Sequence, residues 1–148
     1  MKRFRFTLQA VQTVRERQEE LARRAVARAV GRLEAAQQRW QEARAACVAA
    51  AAAQRMVMEA GATAGELQVH ASHRRALEAY AEDCARAVAQ LQIELQRAVE
   101  SWQAARQARD VVERLRARQW TQYQRAAAAQ EQKALDERAV QAATMERI

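Results

Sequence analysis

The sequence predicts an all-α protein in which two long helices form an antiparallel coiled-coil hairpin, with the second helix longer than the first and overhanging it. Three observations predict this fold: the 148 residues include no proline and three glycines, 38 of them are alanine, and apolar or small residues recur at alternating steps of three and four. A chain without proline is never forced to break a helix, and alanine, glutamine, glutamate and arginine are strong helix formers. So few turn residues leave little material for sheets.

The composition argues against an enzyme with a buried active site. Leu, Ile, Val and Phe together number 25, which is few for a conventional globular core. We find no Gly-rich phosphate loop, no Ser-His-Asp or Cys-His set and no paired carboxylates, so we expect no catalysis, no small-molecule substrate and no cofactor. His70 and His73 lack further ligands nearby, so we expect no metal site. Cys47 and Cys84 are expected to be reduced thiols that act as small fillers of the helix seam.

One short segment, Gly61-Ala62-Thr63-Ala64-Gly65, is the only cluster of turn-permissive residues. We therefore expect a single hairpin domain over 1–148, with helix one over about 8–58, a bend over about 59–65 and helix two over about 66–145. With the bend centred near Thr63, residue i faces about residue 126 minus i. Residues from about 122 onward then overhang without an intramolecular partner.

Both helices carry a predicted seam of apolar or small residues. In helix one the steps include three successive fours between Leu21 and Leu33, which equals one skipped residue and predicts local unwinding of the supercoil. Alanine along the seams would bring the helix axes toward ~8 Å of each other but bury little area, so we expect modest stability. The predicted positions, with Trp40 and Trp102 as core anchors, are Val11, Val14, Gln18, Leu21, Ala25, Ala29, Leu33, Ala36, Trp40, Ala43, Cys47, Ala50, Gln54 and Val57 in helix one, and Leu77, Ala81, Cys84, Val88, Leu91, Leu95, Ala98, Trp102 and Ala105 in helix two.

The net charge of +7 belongs to the first arm. Residues 1–58 hold 12 basic and five acidic side chains, whereas residues 59–148 hold 13 of each. Such an arm could face an acidic protein surface or a nucleic-acid backbone, or it could be a solvated face whose arginine bias reflects codon composition. The basic amino terminus leads into no apolar run, and no stretch is long enough to span a bilayer, so we expect a soluble intracellular protein.

Four of the seven aromatic residues fall at the open end of the predicted hairpin. Trp120 and Tyr123 lie where helix two leaves its partner, beside Phe4 and Phe6 at the start of helix one. Aromatic residues together with arginine commonly anchor protein interfaces. The same cluster would also seal the end of a coiled coil, and the two interpretations are compatible.

The two ends of the chain resemble the flagellar FliJ family of type III export proteins. The opening Lys2-Arg3-Phe4-Arg5-Phe6-Thr7-Leu8, followed by Val11, Val14-Arg15-Glu16 and Glu20-Leu21-Ala22, is similar to the family's basic-aromatic lead, F-x-F-x-L, into a long helix. Val112-Glu113-Arg114-Leu115-Arg116-Ala117-Arg118 resembles its E-x-L-x-x-R stretch, and Glu131-Gln132-Lys133-Ala134-Leu135-Asp136-Glu137 resembles its E-Q-K-x-L-D-E signature. These matches cover about 45 residues. Val11-Gln12-Thr13-Val14 departs from the family, which more often has leucines there.

The resemblance implies a non-catalytic stalk and coupling protein of the flagellar export apparatus. Such a protein inserts its joined ends into the ring of the hexameric export ATPase, promotes ring assembly and activity, and links the ring to the export-gate membrane protein and to export chaperones. It would be cytoplasmic, peripherally associated with the inner membrane at the flagellar base, and would serve motility and chemotaxis. The residues implied to face the ring are Arg3, Phe4, Phe6, Leu8, Leu115, Arg118, Tyr123, Gln132, Lys133, Leu135 and Asp136. The alternatives are a nucleic-acid-binding coiled coil, a generic scaffold and the equivalent stalk of a virulence-type secretion system.

Overall fold

Two α-helices make up almost all of the structure, a computed structural model that describes residues 3–145. Helix α1 spans Gln9–Glu59, 51 residues, and α2 spans Ala64–Met145, 82 residues. The two helices pack against each other as a helical hairpin, and residues 3–145 contain no strand. The predicted all-α hairpin with a longer second helix is therefore confirmed. Neither helix contains, among the described residues, a stretch long and apolar enough to cross a membrane.

The packing divides the chain into two compact units. The first, which we call the terminal unit, consists of Met1–Glu19 and Ala104–Ile148. The second, the hairpin unit, is Glu20–Gln103 and contains the turn between the helices. Each helix therefore contributes a segment to both units, and the two units are described separately below.

The turn is built by one glycine and one helix cap. Gly61 has a φ of 87°, a left-handed conformation that glycine adopts without a steric penalty. The Thr63 hydroxyl accepts a hydrogen bond from the Glu66 N–H at 3.3 Å, and the Glu66 carboxylate accepts one from the Thr63 N–H at 2.9 Å. This reciprocal pair is a capping box, and it starts α2 at Ala64. Gly65, which the sequence assigned to the bend, lies in the first turn of α2.

Small side chains fill the seam of the hairpin unit. Ala29, Ala36 and Ala43 on α1 are the most buried residues of this unit, with 2, 6 and 4% of their surface exposed. Cys84 and Val88 on α2 are also buried. The three alanines are seven residues apart, so they lie along one line of the helix and let the two backbones approach closely.

The predicted seam is confirmed over most of its length. Every predicted position from Ala25 to Val57 in α1, and from Leu77 to Ala105 in α2, is buried or half-buried. Trp40 and Trp102 are half-buried on this seam, as expected of anchors. The Arg44 guanidinium also lies 5.1 Å from the centre of the Trp40 ring, which is a cation–π distance.

The first four predicted seam positions of α1 are wrong. Val14 and Leu21 are 51 and 63% exposed, and Val11 and Gln18 are exposed as well. The seam passes instead through positions that continue the seven-residue repeat of Leu33 and Ala29 toward the amino terminus. The burial pattern does not need the predicted skipped residue, because buried or half-buried residues continue the Leu33 repeat as far as Gln12 and the Ala29 repeat as far as Ala22, before the exposed Arg15. Those positions are Gln12, Glu19, Ala22 and Val26.

Contacts between the helices show the antiparallel register in each unit. In the hairpin unit Arg74 donates to the Gln54 side-chain carbonyl at 2.9 Å, and Arg32 pairs with Glu94 at 3.6 Å. In the terminal unit Arg116 donates to the side-chain carbonyl of Gln12 at 3.3 Å. These pairs lie within two residues of the expected register, in which residue i faces about residue 126 minus i.

We expect Ala29→Leu to destabilise the protein, because added methylenes have no space where the two backbones approach. The free energy of unfolding should fall by about 1–3 kcal/mol. Urea unfolding followed by far-ultraviolet circular dichroism measures this change. The matched control is Ala27→Leu at an exposed position of the same helix, which should stay within about 0.5 kcal/mol of the parent. Equal effects of the two substitutions would contradict the close-packed seam.

Candidate functional site

The seam of the terminal unit contains polar side chains, whereas the seam of the hairpin unit contains small and apolar ones. Gln12 is only 5% exposed, yet both ends of its amide are satisfied. Its nitrogen donates to the Glu16 carboxylate at 3.0 Å, and its oxygen accepts from the Arg116 guanidinium at 3.3 Å. Hydrogen bonds on both sides make burial of this amide tolerable and orient Arg116 across the two helices.

A second polar layer surrounds Arg109. Its guanidinium donates a hydrogen bond to Glu19 on the opposite helix and forms ion pairs with Asp110 at 3.3 Å and with Glu113 at 3.5 Å. The hydrogen bond to Asp110 raises the pKa of Arg109, and the charges of Glu19 and Glu113 act in the same direction. Arg109 therefore remains a fixed cation within an acidic cluster that spans both helices.

Three aromatic rings join the amino-terminal segment to α2. The Phe4 ring centre lies 5.0 Å from that of Trp120 in an edge-to-face arrangement and 5.4 Å from that of Tyr123. Trp120 and Tyr123 stack with their centres 5.6 Å apart. The predicted aromatic cluster is confirmed for these three rings. Phe6 is 8% exposed, so its position in the terminal unit is that of a buried core residue.

A cavity of about 480 Å³ opens beside this cluster. Phe4 and Trp120 form its apolar wall, whereas Gln12, Glu113 and Arg116 bring polar groups to it. It is an open hollow on one side of the terminal unit, where the polar seam reaches the surface. The arrangement suits a side chain of a partner protein better than a reaction that must exclude water.

The opposite side of the terminal unit is apolar and exposed. Val11 and Val14 share one face of α1, and Val111 and Leu115 share one face of α2. Val11 and Leu115 each directly precede a seam residue, and in an antiparallel pair such equivalent positions lie on the same side of both helices. With Leu8 these residues form what we call the apolar face; their exposed fractions are 37% for Leu8, 38% for Val11, 51% for Val14, 63% for Val111 and 36% for Leu115.

A contact in the hairpin unit supports the placement of Val11 and Leu115 on the same side of the two helices. Arg32 and Glu94 also directly precede seam residues, Leu33 and Leu95, and their charged groups lie 3.6 Å apart. Residues that directly precede a seam residue therefore contact each other across the two helices. The heptad pattern of both helices is the same in the terminal unit, so it places Val11 and Leu115 on one surface.

The end of α2 extends beyond the aromatic cluster. All described residues from 128 to 145 are exposed, which agrees with the predicted overhang. Gln132 donates to the Asp136 carboxylate at 2.9 Å along the helix, and Leu135 is 57% exposed. No described residue of the chain buries this segment, so its apolar side chains are available to a partner.

The structure therefore brings together only part of the predicted docking set. Phe4 and Tyr123 are half-buried in the aromatic cluster, and Phe6 is buried. The exposed members in the terminal unit near the cluster are Arg3, Leu8, Leu115 and Arg118. The exposed members on the overhang are Gln132, Lys133, Leu135 and Asp136, of which Gln132 lies roughly 14 Å along the helix beyond Tyr123. Sequence reasoning missed Val11, Val14 and Val111 as surface residues. The signal that could have found them was the register, which places each of them off the seam.

Reactive side chains are few. Cys84 is buried and Cys47 is half-buried, and both are free thiols. A hydrogen bond with Cys84 raises the pKa of Tyr80. Within residues 3–145 no group of three or more His, Cys, Asp or Glu side chains could hold a metal ion. The surfaces described above are suited to binding a protein.

Fold and surfaces together define the class: a helical coiled-coil hairpin whose terminal unit presents aromatic, apolar and basic side chains. The family model described as flagellar FliJ protein matches residues 4–147 of the chain. The chain belongs to the FliJ family and is thus a component of the flagellar export apparatus. No curated protein and no solved structure shows a significant match to it.

We expect Glu19 and Arg109 to be energetically coupled. Arg109→Leu alone leaves the Glu19 carboxylate, 15% exposed, without its cation and should lower the free energy of unfolding by about 1–3 kcal/mol. The double variant Glu19→Leu/Arg109→Leu should recover most of this loss, because two apolar residues then meet on the seam. Urea unfolding of the single and double variants measures the coupling. Arg86→Leu, which removes an exposed ion pair with Asp83, is the control and should have little effect. Simple additivity of the two single changes would refute the coupling.

We expect Phe4→Ala to release the amino-terminal segment from α2. The variant loses two aromatic contacts, worth about 1–2 kcal/mol together. Amide hydrogen exchange at residues 5–9 should become faster, whereas exchange in the hairpin unit should not change. Thr7→Ala, at an exposed position of the same segment, is the control. Unchanged exchange in Phe4→Ala would show that the aromatic contacts do not hold the segment.

Proposed function

We propose that this protein is a non-catalytic stalk and coupling component of the flagellar type III export apparatus, and that its terminal unit docks into the ring of the hexameric export ATPase. The observation that carries the proposal is the exposed apolar face beside an overhanging helix. Large apolar residues that stay exposed in the free protein are typical of a surface that a partner covers. Membership of the FliJ family supports the flagellar export ATPase as that partner.

Apolar contacts would supply most of the docking energy. Burial of Val11, Val14, Val111 and Leu115 against the ring would contribute about 25 cal/mol for each Å² of apolar surface removed from water. Arg3 and Arg118, both exposed, would add charge-assisted hydrogen bonds to carboxylates of the ring. Phe6 would contribute indirectly, because as a buried residue it holds the amino-terminal segment in place.

The polar layers suit a part that must keep its shape while it binds. The Gln12–Arg116 and Glu19–Arg109 contacts tie the helices in one register, because a shift along the seam would leave these polar groups without partners. The apolar face would therefore be preorganised in the free protein. Less ordering on binding leaves more of the contact energy for affinity.

Coupling would follow from a mismatch of symmetry. Two helices of different sequence inside a six-fold ring must contact the six ATPase subunits differently. Subunits that contact the stalk differently differ in the relative stability of their nucleotide states, so the stalk would bias the ring toward assembly and turnover. Contacts of the hairpin unit with the export-gate membrane protein and with export chaperones would link this bias to export. The protein would then act at the cytoplasmic side of the inner membrane at the flagellar base, in support of motility and chemotaxis.

Truncation after Tyr123 should abolish stimulation of the cognate export ATPase. The truncated chain keeps the aromatic cluster and both polar layers, so it should fold, but it lacks the overhang with Gln132, Lys133, Leu135 and Asp136. ATPase turnover with and without the added protein is the measurement, and circular dichroism checks the fold. Equal stimulation by the truncated and full chains would refute a docking role for the overhang.

The apolar face has a test of its own. Val11→Asp/Val14→Asp places two charges on the face and should abolish stimulation, because the carboxylates would have to be desolvated in the interface. Gln38→Asp/Gln41→Asp is a matched control with the same charge change and the same spacing, at exposed positions of α1 in the hairpin unit, far along the chain from the valines. It should stimulate turnover as the parent does. Loss of stimulation in both variants would mean that net charge is responsible, and full stimulation by the valine variant would rule out this face.

A further inference from the structure

The hairpin unit carries an open groove of about 670 Å³ along one side of its two helices. Its floor is formed by small or apolar residues, which include Ala36 and Leu91. Its walls are arginines of α1. These are Arg28, Arg32 and Arg39, and no acidic residue lines the groove.

A glycine keeps the groove open at its edge. A Cβ at Gly31 would meet no atom within 4 Å. Packing between the helices therefore does not require glycine here, and the lack of a side chain leaves free volume beside Arg28 and Arg32. In the interior of a helix glycine is less favourable than alanine. The open groove beside Gly31 is therefore accompanied by a small loss of helix stability.

The arginines of the groove are less neutralised than Arg23 and Arg24 of the same helix. Arg23 and Arg24 share the Glu20 carboxylate at 2.8 and 2.9 Å. Arg32 reaches Glu94 only at 3.6 Å, and its side chain is 61% exposed. Among the described residues, Arg28 and Arg39 form no ion pair.

We propose that this groove binds an acidic polypeptide segment of a partner protein. Small apolar side chains of the segment would lie on the alanine floor, and its carboxylates would pair with the arginine walls. The planar guanidinium group suits this role, because it can donate two parallel hydrogen bonds to one carboxylate. The site lies in the hairpin unit, so the inference goes beyond docking of the terminal unit and does not depend on it.

The groove favours a polypeptide over a nucleic acid for two reasons. A protein that binds duplex DNA neutralises many phosphates, about six to ten in well-studied cases, whereas this groove offers three arginines. Single-stranded nucleic acids are held by stacking of bases on aromatic rings, and no aromatic residue lines the groove. The apolar floor is also better matched to side chains than to a phosphate backbone.

The test uses the full-length protein and three fluorescent probes at physiological salt. The first is a short synthetic peptide that forms a helix with alanine on one face and glutamate beside it. The second carries lysine in place of glutamate, and the third is a short DNA duplex. Fluorescence anisotropy should show saturable binding of the acidic peptide and none of the lysine peptide.

Two sets of variants locate the binding. Arg28→Gln/Arg32→Gln/Arg39→Gln should weaken binding of the acidic peptide by about tenfold or more, because charge-assisted hydrogen bonds are lost. Its matched control removes the same charge from arginines of the hairpin unit that do not line the groove, and it should change the affinity by less than about twofold. That control is Arg55→Gln/Arg75→Gln/Arg86→Gln.

Gly31→Leu tests the shape of the groove without any change of charge. The new side chain has room, so the fold should be kept, and it should weaken peptide binding by about fivefold through obstruction of the groove. Circular dichroism verifies the fold of each variant. Three outcomes would overturn the proposal: no saturable binding of the acidic peptide, equal losses in the two arginine variants, or tighter binding of the duplex than of the acidic peptide.

Discussion

Packing of two helices along a line of buried alanines is the interaction on which the rest of this structure depends. Ala29, Ala36 and Ala43 repeat every seven residues and are almost completely buried. Their small side chains allow close backbone packing, yet each removes little apolar area from water. Because each contact buries little apolar area, the stability of the hairpin depends on the number of contacts along its long helices. Several larger apolar residues, among them Val14, Leu21 and Val111, lie instead on outer surfaces, where they are available to partners.

In the terminal unit the two helices pack against each other through polar residues. Gln12 meets Arg116 and Glu19 meets Arg109 where the hairpin unit has alanine and leucine. Such layers add less stability than an apolar seam, but they penalise every shifted register because a buried amide or charge would lose its partner. They also exclude Val11 and Val14 from the seam. The register in which Gln12 and Glu19 face α2 therefore accounts for both the polar seam and the exposed apolar face.

Much of the fold could be predicted, because it depends on local and periodic properties. Composition predicts long helices, the glycine cluster predicts the turn, and Thr63-x-x-Glu66 has the sequence pattern of a capping box. The aromatic cluster followed from the register, since Phe4 was expected opposite the region of Trp120 and Tyr123. The seam at the start of α1 was not predicted correctly. Valine and leucine looked like core residues, and the heptad alone could have indicated that Gln12 and Glu19 occupy those places.

The sequence by itself determined that this chain is two helices joined by one turn, with a basic first arm and an unpaired end. These are properties of propensity, spacing and charge, and each is local or additive along the chain. Only the tertiary structure decided which side of each helix faces its neighbour. Adjacent residues on a helix point about 100° apart, so the choice between Val11 and Gln12 decides which residues are buried and which are exposed. That choice depends on hydrogen bonds to Arg109 and Arg116, more than 85 residues away along the chain, and composition carries no information about such contacts.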